Sequence, residues 1–429
     1  MMKKYDVVVA GGGTAGCACA YTAAKLGMKV LIVEKKSYLG GSITSSLVIP
    51  AMKTSDNAIN TDFFNTLYEN LYNINGAITY CDGNKGWFNP ELTKIILDRM
   101  MLDAGVDIEF ESNITNIVKQ NANNLSLYNV TIQCDNTSEL LHKLLSHSIE
   151  TIYIVDATGD AKICELLNFE FLENNNNFQP ISLRFIMSGV DSKKFSNWLV
   201  KFDKNRDVTT CCKSNGAYYY STAYTWDDNV PWALKPLFKK AIADGVITEQ
   251  DSNYFQIFSV AGTHDSVAFN TPRILEQPDS KSLAYIKARE SILRISNFCK
   301  KYLPGFENAY ISSIADSIGV RVSKRVKGKY VYTENDLKSG KQFETPVVIS
   351  NYPIDIHSDK KNCSKLEKVF KEYQLPIESL IVDDNLFVIG RCISADFESQ
   401  AALRIIPSCF SMGEGLAKYL ANKINLNHN

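Results

Sequence analysis

The feature that most constrains this chain is its first strand, glycine cluster, helix and second strand, "VVVAGGGTAGCACAYTAAKLGMKVLIVEKK" from Val7 to Lys36. Tyr5 to Ala10 is a continuous apolar run, as expected of a parallel strand buried on both faces. Gly11, Gly13 and Gly16 match G-x-G-x-x-G. In that pattern the first glycine permits a tight turn, the second lets backbone approach a pyrophosphate, and the third brings the following helix close to the strand. The spacing predicts a helix over about Thr14 to Leu26, rich in alanine, with Thr14 and Ala15 at its tip and Gly27 as its stop. Its N-terminus turns free N–H groups and the positive end of the dipole toward phosphate. Lys29 to Val33 reads as the second strand, and Glu34 closes it with Lys35 beside it. A carboxylate there accepts the ribose hydroxyls of a dinucleotide and repels a 2′-phosphate. The motif occurs once, so the chain is expected to hold NAD, or FAD without a nicotinamide domain of its own.

Length and composition narrow the class. A chain of 429 residues exceeds one small core, and 45% hydrophobic with 22% charged residues is ordinary for a soluble globular protein. A net charge of −1 gives no field that would gather nucleic acid or an anionic membrane. The 11 cysteines are scattered without paired metal spacing, which suits reduced thiols in a cytoplasm and predicts no metal. Cys17 and Cys19 point in different directions on the helix, and the vicinal Cys211 and Cys212 are read as incidental. No apolar run is long enough to span a membrane, and "MMKKYD" enters a strand directly, without a signal peptide. Asn174 to Asn177 reads as a surface loop.

Beyond Glu34 the order of elements departs from a plain nicotinamide-binding fold. "SYLGGSITSS" supplies Gly40, Gly41 and the hydroxyls of Ser42, Thr44, Ser45 and Ser46, suited to a chain passing a pyrophosphate. Asn89 and Pro90 form a cap and first-turn proline for a helix ending at Ala104, with Gly105 as its stop. "VDIEFESNITNIV" reads as strand, turn and strand. Ile152 to Val155 reads as another buried strand, and Asp156-Ala157-Thr158-Gly159-Asp160 places a second turn at its carboxyl end, where ligands of parallel sheets sit. From about Phe171 the texture is aromatic and mixed, with a helix over Ser280 to Tyr302. "IGVRVSKRVKGKYVYT" alternates like a strand, with valines on one face and Arg321, Ser323, Arg325 and Lys327 on the other. Near the end, "NLFVIGRCISADFESQAALRIIPSCFSMGEGLAKYLA" reads as strand, Gly390, polar loop and helix, completing the first domain and turning a helix tip at Met412 and Gly413 toward a flavin. The expected fold class is α/β: a discontinuous Rossmann-like FAD-binding domain over 1–170 and 375–429, with an inserted mixed α+β substrate domain over 171–374.

These stretches together resemble the FAD-dependent oxidoreductases (FAD-oxidored type) of the glutathione-reductase-like flavoprotein superfamily, related to succinate dehydrogenase and fumarate reductase flavoproteins. The resemblance covers almost the whole chain. It implies that Gly11, Gly13 and Gly16 hold the pyrophosphate, Glu34 the adenosine ribose, and Gly41 and Ser42 the diphosphate and ribityl chain. It further implies that Ile114 offers backbone to adenine, that Ala157, Thr158 and Gly159 line the cofactor, that Gly390 and Arg391 lie by the ribityl or pyrophosphate, and that Met412 and Gly413 lie by the flavin ring. Arg321, Arg325, Gly328 and His357 match residues on the presumed substrate side. The family more often reads Arg-Glu-Ser-Arg-Arg where this chain has Arg321-Val-Ser-Lys-Arg325, and Gly-Gln-Ala-Ala-Gly where it has Gly413-Glu414-Gly415-Leu416.

The activity this implies is hydride transfer between a small organic substrate and N5 of FAD. Arg321 or Arg325 would fix a carboxylate or stabilise enolate-like charge, and His264 and His357 are the acid/base candidates. His142, His147 and His428 carry no such weight. Tyr218 to Tyr220 and Trp226 could cover the substrate or simply fill a core. The electron donor or acceptor is open. Two other readings stand beside this one: a flavoprotein subunit acting in RNA modification or as an FAD-binding scaffold, and a flavin-dependent hydroxylase.

Overall fold

The computed structural model describes residues 2–122, 125–134, 146–173, 179–214, 216–225, 231–274, 280–357 and 364–428. In chain order, the first part holds strand β1 (Lys3–Ala10), helix α1 (Thr14–Lys25), β2 (Val30–Val33), α2 (Pro90–Ala104), β3 (Asp107–Glu109), β4 (Ser112–Ala122), β5 (Leu125–Cys134) and β6 (His147–Asp156). The middle part holds β7 (Phe185–Ser188), β8 (Thr209–Ser214), β9 (Ala217–Thr225), β10 (Tyr254–Ser259), β11 (Val267–Phe269), α3 (Lys281–Tyr302) and β12 (Tyr310–Ile314). The chain then returns through β13 (Ile381–Asp383) and β14 (Leu386–Val388) to α4 (Ile406–His428).

Two sheets organise the molecule. The first has eight strands, in the order β13-β14-β6-β1-β2-β3, with the β4–β5 hairpin joined through β5 to β6. Its centre is parallel: Val7 to Ala10 lie beside Val30 to Val33 on one side and Tyr153 to Asp156 on the other. The second is antiparallel throughout, in the order β8-β9-β10-β11-β7-β12. The fold is thus Rossmann-like α/β with additional antiparallel sheet, and the parallel sheet is closed by strands from late in the chain.

The local chemistry explains these elements. Successive residues of β1 divide between two cores, as the strand period of two requires. Val7 and Val9 pack with the α1 side, and Val8 and Ala10 pack with Tyr128, Ile163 and Val326 on the other face. α2 begins where expected: the Asn89 side chain accepts from the Glu91 and Leu92 N–H groups at 3.0 and 3.2 Å, and Gly105 takes φ +81°. α1 and α4 pack closely because their contact is made of small residues. A Cβ on Gly413 would lie 2.2 Å from the Ala15 carbonyl oxygen. α4 is also one continuous helix, with Met412 to Gly415 inside it rather than at its entrance.

Residues 319–332 differ from expectation. They form no strand, only isolated bridges at Gly319, Val326 and Tyr332. Their backbone groups bond to separate segments: Gly319 N–H to the Ser182 carbonyl at 2.7 Å, Val326 N–H to that of Cys392 at 3.0 Å and Lys327 N–H to that of Glu170 at 2.9 Å. An extended chain threaded between two layers produces the same alternation as a ladder strand. Arg321 and Arg325 are buried, so the polar side of the alternation is not a solvated sheet face.

Candidate active site

The first turn and the second turn meet over one cavity of about 1390 Å³. That exceeds the roughly 300–1,000 Å³ of ordinary ligand pockets, so a dinucleotide and a second small molecule fit together. Gly11 takes φ +104°, and a Cβ there would lie 2.7 Å from the Ala157 carbonyl oxygen. Gly13 caps α1 with extended backbone. A Cβ on Gly13 would meet no protein atom closer than 4.0 Å, because this glycine faces the cavity. Its smallness therefore serves something other than protein packing, as a phosphate cradle requires.

The surrounding polar groups are fixed by their own bonds. Glu34 accepts the Gly12 N–H at 2.6 Å and the Lys36 N–H at 2.9 Å. Burial raises its carboxyl above the usual range, with those two N–H groups acting in the opposite direction. Asp156 is fully buried and builds the second turn, accepting from Thr158 Oγ1 at 2.7 Å and from the Ile163 and Cys164 N–H groups at 2.9 and 3.0 Å. Arg391 donates to the Gly159 and Val320 carbonyls, both at 2.8 Å, and pairs with Asp160 at 2.6 Å. It ties the second turn to the 319–332 segment.

The other end of the cavity is cationic. Arg184, Arg321 and Arg404 line it with Tyr254, Gln256, Asn270, Asp355 and His357. Arg273 stands behind, its guanidinium 3.2 Å from the centroid of the Tyr254 ring. Arg404 donates to the Asp355 carbonyl at 2.9 Å, and Arg321 donates to the Pro180 carbonyl at 2.5 Å. Burial pulls Arg184 down to about 10 and Arg321 well below its usual value, the latter also through Arg273, Arg404 and Arg184. A guanidinium keeps its proton. The strain is therefore a demand for negative charge, which Asp355 alone does not meet.

His357 Nε2 lies 3.2 Å from Asp355 Oδ2. Burial first, then Arg273 and Arg321, hold the imidazole pKa well below its usual value, so it is neutral near pH 7. Burial raises the Asp355 carboxyl, but its partner His357, Arg404 and Arg321 outweigh that and keep it ionised. The pairing assigns the ring proton to Nε2 and leaves Nδ1 as an acceptor. Because the unfolded histidine titrates near ~6.5, the unfolded state binds the extra proton as pH falls below that value, and stability drops with it. Urea midpoints measured between pH 7 and 5 are expected to fall less for His357→Gln than for the unaltered chain. Equal slopes would remove the buried neutral histidine.

The structure brings together most of the expected residues. Gly11, Gly13, Thr14, Ala15, Glu34, Lys35, Gly41, Ser42, Ile114, Ala157, Thr158, Gly159, Gly390, Arg391, Arg321 and His357 all line the cavity. Six others stand elsewhere. Gly16 lies under the turn, where a Cβ would be 2.0 Å from the Gly11 carbonyl oxygen. Thr44 is buried, bonded to the Leu39 carbonyl at 2.7 Å. Met412 and Gly413 are within α4, Met412 fully buried and Gly413 against α1. Arg325 is buried among carbonyls, donating to Ala395 and Glu173 at 2.9 Å each, away from the cavity wall. His264 is exposed on the turn between β10 and β11 and is likewise no part of the wall. Tyr219 and Tyr220 are core residues. His142, Trp226 and Asn174 to Asn177 lie outside the described residues. Arg184, Arg273, Arg404, Asp355 and Tyr254 were not among the expected site residues. Each stands alone in its own segment, and only the two arginines flanking Ser323 and Lys324 formed a visible pattern.

A family model described as FAD dependent oxidoreductase matches residues 6–427. Among curated proteins, a digeranylgeranylglycerophospholipid reductase of Methanococcus vannielii is 25% identical over 182 residues, 41% of this chain and 43% of that protein. A dihydrolipoyl dehydrogenase of Corynebacterium glutamicum is 39% identical over 80 residues, 19% of this chain and 17% of that protein. The chain thus spans less than half the length of these curated relatives. Among solved structures, p-nitrophenol 4-monooxygenase from Pseudomonas putida aligns with TM-score 0.50 at 11% identity, covering 99% of this chain and 82% of that one, a likeness of fold. Among the described residues, no helix is long and apolar enough to cross a membrane, and no group of three or more His, Cys, Asp or Glu could hold a metal ion.

Proposed function

The chain belongs to the FAD-dependent oxidoreductase family, and we propose that it moves a hydride between a small organic substrate and the flavin, with the substrate at the arginine-rich end of the cavity. The observation that carries this reading is the continuity of that cavity from the glycine cradle at α1 to the His357–Asp355 pair. Residues 1–170 and 375–429 act as the FAD-binding unit in this reading, and 171–374 as the substrate unit. Gly11, Gly13, Thr14 and Glu34 would hold the dinucleotide by backbone N–H groups and a carboxylate. Bound FAD supplies a two-electron acceptor or donor at N5.

The remaining work falls to side chains of this chain. His357 holds or releases, at Nδ1, the proton that accompanies the hydride, and Asp355 stabilises the imidazolium that results. Arg321 orients the substrate through charge-assisted bonds that are strong in a buried site. Ile181, Tyr254 and Ile356 add apolar surface to the wall there. The test is anaerobic mixing of the yellow protein with a panel of small metabolites. A substrate should bleach the visible flavin band. Arg321→Ala should retain FAD and slow that bleaching by about tenfold or more, the scale of one lost charged hydrogen bond. Unchanged bleaching, or loss of FAD with no separate kinetic effect, would remove Arg321 from the substrate's surroundings.

A further inference from the structure

The vicinal Cys211 and Cys212 have different neighbours. Successive residues of a strand point to opposite faces. β8 sends Cys211 to the main core, where Ser196 donates to its sulfur, and Cys212 to a small separate cluster of Ile78, Tyr80, Trp87, Tyr219 and Phe258. On that second face Cys212 meets Cys81. Its thiol donates to the Cys81 sulfur, and the Cys81 N–H donates to the Cys212 sulfur in turn. The neighbouring residues hold the two segments together. Tyr80 Oη and Thr210 Oγ1 are hydrogen-bonded at 2.8 Å, one residue before Cys81 and two before Cys212. The Tyr80 ring stacks on Trp87 with centroids 4.1 Å apart.

The two cysteines differ in exposure. Cys81 is exposed, in a tight turn closed by the Gly83 N–H donating to the Tyr80 carbonyl at 2.9 Å. Cys212 is half-buried. Burial, then the contact with Cys81, push its thiol up to about 12, so it keeps its proton near neutrality. Cys164 and Cys392 also lie near each other, but both are fully buried and closed to a soluble reagent.

We propose that Cys81 and Cys212 form a reversible two-electron dithiol site that takes a low-molecular-weight disulfide as its oxidant, with Cys81 attacking and Cys212 resolving. The exposed Cys81, as thiolate, attacks one sulfur of the small disulfide, whose S–S bond breaks and releases one thiolate. Cys212 then gives up its proton to the released thiolate and attacks the Cys81 sulfur, expelling the second one. The two protein thiols lose two electrons and two protons, and the small disulfide becomes two thiols.

The pair lies outside the cavity but is coupled to its wall. Asn84 Nδ2 donates to the Ala51 carbonyl at 2.9 Å, and the Ala51 N–H donates to the Gly86 carbonyl at 2.8 Å. Pro50 and Met52, on either side of Ala51, line the cavity, as does Phe258, whose ring meets Trp87 edge-on. A Cys81–Cys212 bond fastens the 80–86 turn, and this wall with it, to the edge strand β8.

The test is incubation of the reduced, flavin-loaded protein with glutathione disulfide, followed by alkylation and peptide mapping without reduction. Expected is the loss of two alkylatable thiols, a peptide pair joined through Cys81 and Cys212, no lasting glutathione adduct on either, and full reversal by dithiothreitol. The melting midpoint should rise by about 2 °C or more on oxidation. Cys212→Ser should halt the reaction at a stable glutathione adduct on Cys81, Cys81→Ser should abolish the reaction at Cys212, and Cys211→Ser should leave the cross-link intact. A stable adduct on Cys81 of the unaltered chain, a cross-link to Cys211 instead, or thiols that all remain alkylatable would each overturn the proposal. So would a cross-link that lowers the melting midpoint, since the sulfurs would then meet only by distorting the fold. Should a serine variant fail to fold, the peptide map of the unaltered protein decides alone.

Discussion

Gly13→Val is expected to give a folded protein that purifies without colour. The backbone at Gly13 has φ −74° and ψ −173°, which a β-branched residue adopts readily. A Cβ there comes no closer than 4.0 Å to the protein atoms around it, so the added side chain projects into the cavity. It places an isopropyl group where main-chain N–H groups must reach a diphosphate. FAD occupancy should fall by at least about tenfold, roughly 1.4 kcal/mol or more of binding. The measure is visible flavin absorbance against protein, with the melting midpoint compared with that of flavin-stripped unaltered protein. Stoichiometric FAD in the variant would show that the α1 tip is not the cradle. Substituting Gly16 is a different experiment, since a side chain there collides with the Gly11 carbonyl and damages the turn itself.

His357→Ala should retain FAD yet slow flavin reduction by substrate about 10²–10⁴-fold, the usual contribution of a positioned proton acceptor. Direct chemical reduction by dithionite should be unaffected, which separates a lost base from a damaged flavin site. Because burial and two guanidinium groups keep the imidazole neutral, the unaltered enzyme should hold its rate from neutrality into mildly acidic solution. A variant as fast as the original would move proton transfer to solvent or to another group.

The unequal legibility of the chain has a physical basis. β1, α1 and β2 were readable because one contiguous stretch makes the strand, the turn, the helix and the acid, and each glycine answers a separate steric demand. The cap at Asn89 and the stop at Gly105 were readable for the same reason, being local bonds written in adjacent residues. At the cationic end of the cavity only Arg321 and His357 were expected; positions 179, 184, 254, 270, 273, 355 and 404 come from scattered segments without a common motif. Residues 319–332 misled in a more specific way. Alternation signals a strand only when one side faces water and the backbone finds a ladder. Here Arg321, Arg325 and Val326 are all buried while Lys327 and Lys329 are exposed, and the N–H groups reach separate segments, among them those at Ser182, Glu170, Ile381 and Cys392. Met412 and Gly413 were expected at a helix tip, but nothing in "SMGEG" ends a helix when α1 presents small residues for Gly413 to lie against.

The parallel sheet gains β14 from Leu386–Val388, and α1 finds its neighbour in α4, so the wall of the nucleotide cleft is completed by residues far along the chain from the glycine turn. During synthesis the opening βαβ unit leaves the ribosome long before its lid of late sequence exists. A complete cradle thus exists only once the chain's two distant parts have met. A ribosome-stalled chain ending ahead of β14 would carry the complete glycine signature and still hold no flavin.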